Sequence, residues 1–260
     1  MSDVLKTSLS NGVFHVVLDR PKANAIDLKT SREMGEVFKA FRDDPAARVG
    51  IVSTAGDKFF CAGWDLKAAA DGDAVDGDYG VGGFGGLQEL RGMNKPMIAA
   101  VEGMTVGGGF ELALSCDLIY CTKESRFALP EIKAGTLADA ATVKLPKRIP
   151  YHIAMEMLFL GRWMEADEAK HHGLVNDVLD ADKLMDHVRE IAETLAAGPP
   201  LVFASIKEVV REAEALRFQD AMNQITKRQL DTVDILYDSE DNLEGAKAFA
   251  EKRDPVWKGR

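Results

Sequence analysis

Apolar and polar residues follow two rhythms along this chain. Phe14-His15-Val16-Val17-Leu18-Asp19 is a run of β-formers ended by Arg20-Pro21. Its apolar side chains do not alternate cleanly, which predicts a strand covered on both faces. From Asp27 the period lengthens. Met34, Val37, Phe38 and Phe41 recur at helical spacing, so a helix is predicted over 27–42, with Asp27 as its cap and Asp43-Asp44-Pro45 as its stop. Val49-Gly50-Ile51-Val52-Ser53 is a second short strand. Phe59 to Lys67 runs from apolar residues through a small-residue bend at Cys61-Ala62-Gly63 into a helix start.

Residues 71–86 combine Asp71, Asp73, Asp76 and Asp78 with many glycines and few core formers. They predict an exposed flexible loop, with a lid as one use for it. The calcium-loop register, which closes on a glutamate, is not met. A short helix is predicted over 87–93, stopped by Asn94-Lys95-Pro96, and Met97-Ile98-Ala99-Ala100-Val101 is a buried strand. That strand leads to Met104-Thr105-Val106-Gly107-Gly108-Gly109-Phe110-Glu111. Glycine triplets are entropically costly and belong where backbone turns tightly or closely approaches something. If Phe110 begins a helix, unpaired N–H groups at its start can face a negative or developing negative charge.

Beyond it, Leu118-Ile119-Tyr120 is strand-like, and Leu129-Pro130-Glu131 brings a second carboxylate beside constrained backbone. Helices are predicted over 151–160, over 166–172 with Gly173 as cap, and from Asp180 through Leu184, Val188, Ile191 and Leu195 to the Gly198-Pro199-Pro200 break. Between the last two lies a strand over 174–179. Residues 201–253 are helix formers and charges with Gly245 as the lone breaker, so an almost entirely helical tail is predicted. A boundary near 198 divides the chain into 1–198 and 199–260. The tail then either folds over the core or forms an oligomer interface. Strand-plus-helix units imply an α/β architecture, but their irregular spacing leaves a doubly wound sheet and a spiral both open.

Composition narrows the function. The 260 residues are 46% apolar and 28% charged, as in an ordinary globular protein. The formal net charge of -10 argues against a broad nucleic-acid face while leaving room for a local basic pocket. No apolar run reaches membrane-spanning length, and MSDVLKTSLS lacks the pattern of a secretory signal. Cys61, Cys116 and Cys121 form no metal-binding spacing and no even framework, which fits buried thiols in a reducing, cytoplasmic compartment. His171-His172 has no acidic or cysteine partner at metal spacing, so no metal is expected.

Glu111 and Glu131 form a candidate acid/base pair, and mutual proximity would raise at least one pKa. Two backbone N–H groups aimed at a carbonyl oxygen would stabilise an enolate without a metal. No G-x-S-x-G elbow, P-loop or dinucleotide fingerprint is present, so nucleophilic hydrolysis and nucleotide-dependent transfer are disfavoured.

On these residues the chain resembles the crotonase superfamily, in its enoyl-CoA hydratase branch. The resemblance spans essentially the whole chain. It rests on Arg20-Pro21-Lys22-Ala23-Asn24-Ala25-Ile26, Phe60-Cys61-Ala62-Gly63-Trp64-Asp65-Leu66, Gly107-Gly108-Gly109-Phe110-Glu111-Leu112-Ala113 and Leu129-Pro130-Glu131. It implies a right-handed spiral of ββα units with a C-terminal helical oligomerisation region, as a homotrimer or dimer of trimers. It also implies an acyl-CoA substrate, with neither metal nor redox cofactor. The backbone N–H groups of Trp64 and Gly108 become an oxyanion hole, Glu111 and Glu131 the acid/base pair, and Lys22, Ala23, Ala25, Ala62, Asp65 and Leu66 the CoA and substrate contacts.

The implied reaction is reversible addition of water across the 2,3 double bond of a short-chain enoyl-CoA. Gly63 to Ala70 and Ser239 to Arg260 are most similar to members whose acyl group carries a quaternary ammonium. A plain crotonyl-type substrate is the alternative, and a non-catalytic CoA- or RNA-binding scaffold is the alternative of another class. One departure stands out. Where the family has a proline and then glycines after the second glutamate, this chain has Ala138 and Ala140-Ala141. Alanine does not readily enter positive φ, so an altered path beside Glu131 is expected.

Overall fold

The computed structural model describes residues 3–70, 72 and 77–260. It opens on a hairpin that the hydrophobic pattern does not announce. β1 (Leu5–Ser10) pairs antiparallel with β2 (Val13–Leu18) around Asn11 and Gly12, both at positive φ. An Asn-Gly pair suits such a turn because neither residue pays heavily for that conformation. α1 (Leu28–Asp43) follows, and Asp27 caps it by accepting the Thr30 N–H at 2.7 Å. Met34, Phe38 and Phe41 are buried, as their spacing predicts.

The chain then repeats one motif three times. β3 (Val49–Thr54) leads to β4 (Phe59–Cys61) and α2 (Leu66–Ala70). β5 (Met97–Val101) leads to β6 (Met104–Val106) and α3 (Gly108–Leu114). β7 (Leu118–Thr122) leads to β8 (Arg126–Ala128) and α4 (Glu131–Ala134). The first strand of each unit joins a large sheet and the second a small one. With β9 (Trp163–Glu165) and β10 (Asp177–Leu179), the sheet orders are β1-β2-β3-β5-β7-β10 and β4-β6-β8-β9. Units stack with parallel register between like strands, so the chain winds as a spiral. The central strands are covered on both faces, which explains their unbroken apolar runs.

The helices α5 (Asp139–Lys144), α6 (Tyr151–Leu160), α7 (Ala166–His171) and α8 (Ala181–Ala196) follow. Leu184, Val188, Ala192 and Ala196 of α8 pack onto Val49, Ile51, Ile98 and Ala100 of the large sheet. Each fully buried aliphatic side chain of valine size or larger there contributes about 1.5–3 kcal/mol. α9 (Pro200–Ala213), α10 (Phe218–Thr226), α11 (Asp231–Asp238) and α12 (Asp241–Glu251) make the helical tail. Polar clips hold the tail to the core: Lys207 Nζ donates to Lys95 O and Asp117, and Arg48 donates to Trp257 O.

Asp78 and Val81 are exposed as expected, but two expectations fail between 82 and 93. Asp71, Asp73 and Asp76 lie outside the described residues, but Gly82, Gly83, Gly85 and Gly86 are buried rather than in an exposed loop. A β-carbon on Gly86 would lie 2.3 Å from Gly35 N, so α1 packs directly against this glycine turn. No helix forms over 87–93 either. Leu87, Leu90 and Met93 reach the core from turns, and Gly92 at positive φ breaks the segment.

Candidate active site

The spiral puts both glutamates at matching places in successive units. Val106 of β6 and Ala128 of β8 are register partners, and the Gly107 N–H donates to Ala128 O at 2.9 Å. Each chain then turns into a helix that carries its glutamate in the first turn. The three glycines are all sterically required. A β-carbon on Gly107 would lie 2.5 Å from Glu131 Oε1, on Gly108 2.2 Å from Phe84 Cε1, and on Gly109 2.4 Å from Cys61 O. Gly107 is also at φ 54 and ψ -128, a combination closed to side-chain-bearing residues.

The neighbouring unit comes equally close. Gly63 at φ 82 has no room for a β-carbon, which would sit 2.8 Å from Val106 O and 2.9 Å from Gly108 N. Next to it, Trp64 forms a parallel bridge with Ile26. The bridge uses Gly63 O, bonded by Ile26 N, and Asp65 N, bonded to Ile26 O. Trp64's own N–H is therefore left on the other side of the strand. Gly108 is the first residue of α3, so its N–H has no intrahelical acceptor. The two N–H groups named from the sequence thus lie on adjoining segments, neither spent on the bridge or the helix.

Both residues line a cleft of about 210 Å3, together with Ala62, Leu66, Glu111 and Glu131. Its glutamates differ sharply. Glu111 is buried, and its carboxylate accepts the Ala141 N–H at 2.8 Å on Oε1 and Gln88 Nε2 at 3.2 Å on Oε2. Burial raises its pKa, opposed by those two donors, while the charge of Asp139 raises it and that of Lys144 lowers it. The net direction is up. Glu131 Oε2 is buried with no hydrogen-bond partner among the described residues. Burial, followed by the charges of Glu111 and Asp139, pushes Glu131 up to about 7 against the pull of its own N–H. Burial pushes both carboxyls up, but Glu111 keeps two donors that favour its ionised form, whereas Glu131 is poised to carry a proton near neutral pH.

Residues 8–260 match the model of the enoyl-CoA hydratase/isomerase family. The chain belongs to that family. It is 51% identical over 261 residues, covering all of both chains, to the carnitinyl-CoA dehydratases of Proteus mirabilis strain HI4320 and Escherichia coli strain K12. Its structure superposes on an enoyl-CoA hydratase of Mycobacterium tuberculosis H37Rv with a TM-score of 0.89 at 34% identity, over all of both chains. The enoyl-CoA hydratase of Bacillus anthracis gives 0.88 at 29% identity, over 99% of this chain and all of that one. The spiral implied by the resemblance is therefore the fold this family member has, and the chain is an enzyme of the hydro-lyase kind.

The remaining residues named from the sequence divide. Ala62 and Leu66 line the cleft, and Leu66 is 68% exposed at its mouth. Ala62 N donates to Ala23 O at 3.0 Å, which brings Ala23 alongside, with Lys22 exposed next to it. Arg20 donates to Ala25 O and to Asp65, both at 2.7 Å. Asp65 also accepts the Lys67 and Ala68 N–H groups at the start of α2. Its carboxylate is thus occupied in pinning the loop, and its neighbours Trp64 and Leu66, rather than Asp65, are among the described residues lining the cleft.

Four contributors escaped the sequence reading. Gln88 lies in a segment predicted as an unremarkable helix. Ala141 acts through its N–H, which no residue type reveals. Lys144 donates to Ser115 Oγ at 2.7 Å, tying α5 to α3. Asp139 lines the cleft from the start of α5. The alanines after Glu131 lead into a helix. Ala138 sits at φ -83 and ψ 82, and Ala140 and Ala141 enter α5 rather than a positive-φ turn.

Proposed function

We propose that the protein reversibly hydrates the 2,3 double bond of a short-chain enoyl-CoA, with crotonobetainyl-CoA and carnitinyl-CoA as the substrate pair. The observation that carries this reading is the unequal pair of carboxylates, Glu111 with two donors and Glu131 with a bare buried oxygen, beside two unspent N–H groups. The full-length likeness to carnitinyl-CoA dehydratases supports the acyl group.

In hydration, Glu111 takes a proton from water as the water oxygen bonds to Cβ. The π electrons move onto Cα and the thioester carbonyl, and the Trp64 and Gly108 N–H groups hold the enolate oxygen. Glu131 then gives its proton to Cα. The products are the 3-hydroxyacyl thioester, protonated Glu111 and ionised Glu131, and proton exchange with solvent resets the pair. Dehydration retraces the same steps. Every proton and electron pair is supplied by the two carboxyls, water and substrate, so no metal or redox cofactor enters this mechanism.

In this reading, backbone and side chains near Lys22, Ala23, Ala25 and Ala62 receive CoA, and the thiol-bearing chain works in the cytoplasm. Residues 199–260 form a trimerisation region, as a trimer or a dimer of trimers. Phe218, Val210, Ile235 and Phe249 are exposed in the single chain, at 80%, 60%, 56% and 87%. Such large apolar side chains gain by covering one another. Light scattering tests the assembly, and a monodisperse monomer would exclude it.

The activity is tested by following the enoyl thioester absorbance with crotonobetainyl-CoA and crotonyl-CoA. The expected result is hydration of both, with a higher kcat/KM for crotonobetainyl-CoA. A preference for crotonyl-CoA would move the assignment to a general short-chain hydratase, and turnover of neither would overturn it.

A further inference from the structure

The cleft holds more negative charge than hydration needs. Its lining includes Glu89 and Asp139 besides the two glutamates, and no Lys, Arg or His is among its described lining residues. Trp64, Tyr79 and Phe84 give it an aromatic wall, with the Tyr79 and Phe84 rings edge to face at 5.3 Å. Asp139 is the more telling of the extra carboxylates. Its side chain has no ion-pair or hydrogen-bond partner among the described residues, and its charge bears on both Glu111 and Glu131. Lys144, on the same helix, is turned away to Ser115 and does not line the cleft. Asp139 is solvent-exposed at the first position of α5, where the helix N-terminus suits a carboxylate, but towards a neutral acyl chain its charge contributes only its effect on the two glutamates. For an acyl chain ending in a cation, it is a counter-ion.

We infer that Asp139 is a specificity-determining residue, selecting acyl groups whose tail carries a fixed positive charge. The inference rests on the hydratase reading of the site. An acyl chain whose thioester oxygen meets the Trp64 and Gly108 N–H groups has Cα and Cβ between the glutamates. A quaternary ammonium one carbon beyond Cβ then stays within the same cleft. Quaternary ammonium has no N–H to donate, so it is recognised by charge and by aromatic faces. Asp139 supplies the first, and Tyr79, Phe84 and Trp64 supply the second. Glu89 adds a second charge to the lining, one that does not bear on either glutamate as Asp139 does.

The test compares crotonobetainyl-CoA with its uncharged carbon isostere, 5,5-dimethylhex-2-enoyl-CoA, which has the same shape. The readout is the ratio of their kcat/KM values in the wild type, Asp139→Asn, Asp139→Glu and Glu89→Gln. A ratio cancels any general effect of Asp139 on the acidity of the glutamates. The wild type is expected to favour the cation, Asp139→Asn to lower the ratio by about tenfold, and Asp139→Glu to retain most of it. Glu89→Gln is expected to lower it by a smaller factor. Added salt should reduce the wild-type ratio more than that of Asp139→Asn. A ratio unchanged within about twofold in Asp139→Asn overturns the inference while leaving the hydratase reading intact. Failure of the wild type to hydrate either thioester overturns both.

Discussion

The two strand-to-helix turns that carry Glu111 and Glu131 begin alike and end differently. Both leave paired residues of one small sheet, Val106 and Ala128, and both place a glutamate in a first helical turn. Around Glu111 the protein has packed Gln88 and the start of α5, so the carboxylate meets two donors. Around Glu131 it has buried one oxygen with no donor among the described residues. In the proposed mechanism the same residue type thus serves as a base in one turn and an acid in the next. What separates them is hydrogen bonding contributed by segments remote in sequence, since burial raises both.

The harshest way to break this comparison is to remove either proton carrier. Glu111→Gln and Glu131→Gln should each lower kcat by about 10²–10⁴-fold in steady-state hydration assays. The double variant should be little worse than the singles, because the two act in one proton circuit.

Next in size is the backbone between the turns. Gly108→Ala forces a β-carbon to 2.2 Å from the Phe84 ring and displaces the N–H proposed to hold the enolate. A loss of about 10²-fold in kcat is expected, with little change in the circular dichroism spectrum. Trimming the obstacle in Gly108→Ala/Phe84→Leu should recover part of the activity. No recovery would mean that the alanine acts through something other than this clash.

The pH profile sharpens the comparison further. The working state carries one proton on the pair, in hydration and in dehydration alike, since one carboxyl gives a proton to the substrate as the other takes one from it or from water. Raising the pH above about 7 removes it from Glu131, so kcat/KM should fall in both directions, tenfold per unit at the limit. Lowering the pH protonates Glu111 and produces the acid limb. Asp139→Asn removes a charge that raises both groups, so both limbs should move to lower pH. A profile flat between pH 6 and 9 would contradict the assignment of Glu131.

The gentlest probe is Gln88→Met. It deletes a donor that favours ionised Glu111, so the Glu111 pKa should rise and the acid limb should move upward. The pH optimum narrows from one side only, with kcat at the optimum lower by a few-fold to about tenfold.

Much of the protein was legible along its chain. The long amphipathic helices α1 and α8 stand out because Met34 with Phe38, and Leu184 with Val188, repeat at helical spacing over four turns. The Gly107–Gly109 triplet could be recognised as a place where backbone must come close to something, and Glu111 and Glu131 as the carboxylates beside constrained backbone. Three-residue strands such as β6, β8 and β9 were not legible, because so short a segment has no period. The 82–93 segment misled for a related reason. Leu87, Leu90 and Met93 recur every three residues, which fits a helix, yet they are carried by glycine-bounded turns. Even the Asn11-Gly12 hairpin had a local signal, but its first strand is too exposed to show an apolar face.

Local sequence therefore determined which residues are special: the glycines that admit no β-carbon, the two glutamates, and the tail of helices. Only the tertiary structure decided what each does. It stacks the β6 and β8 turns side by side, delivers Gln88 and the Ala141 N–H to one glutamate, and brings no donor among the described residues to one oxygen of the other. It also sets Asp139 on the lining of the cleft and ties Lys144 to Ser115, although the two belong to one short helix. A residue's protonation and its partner depend on what is packed within a few ångströms of it, and contacts across 23 or 30 residues are set by the winding of the spiral.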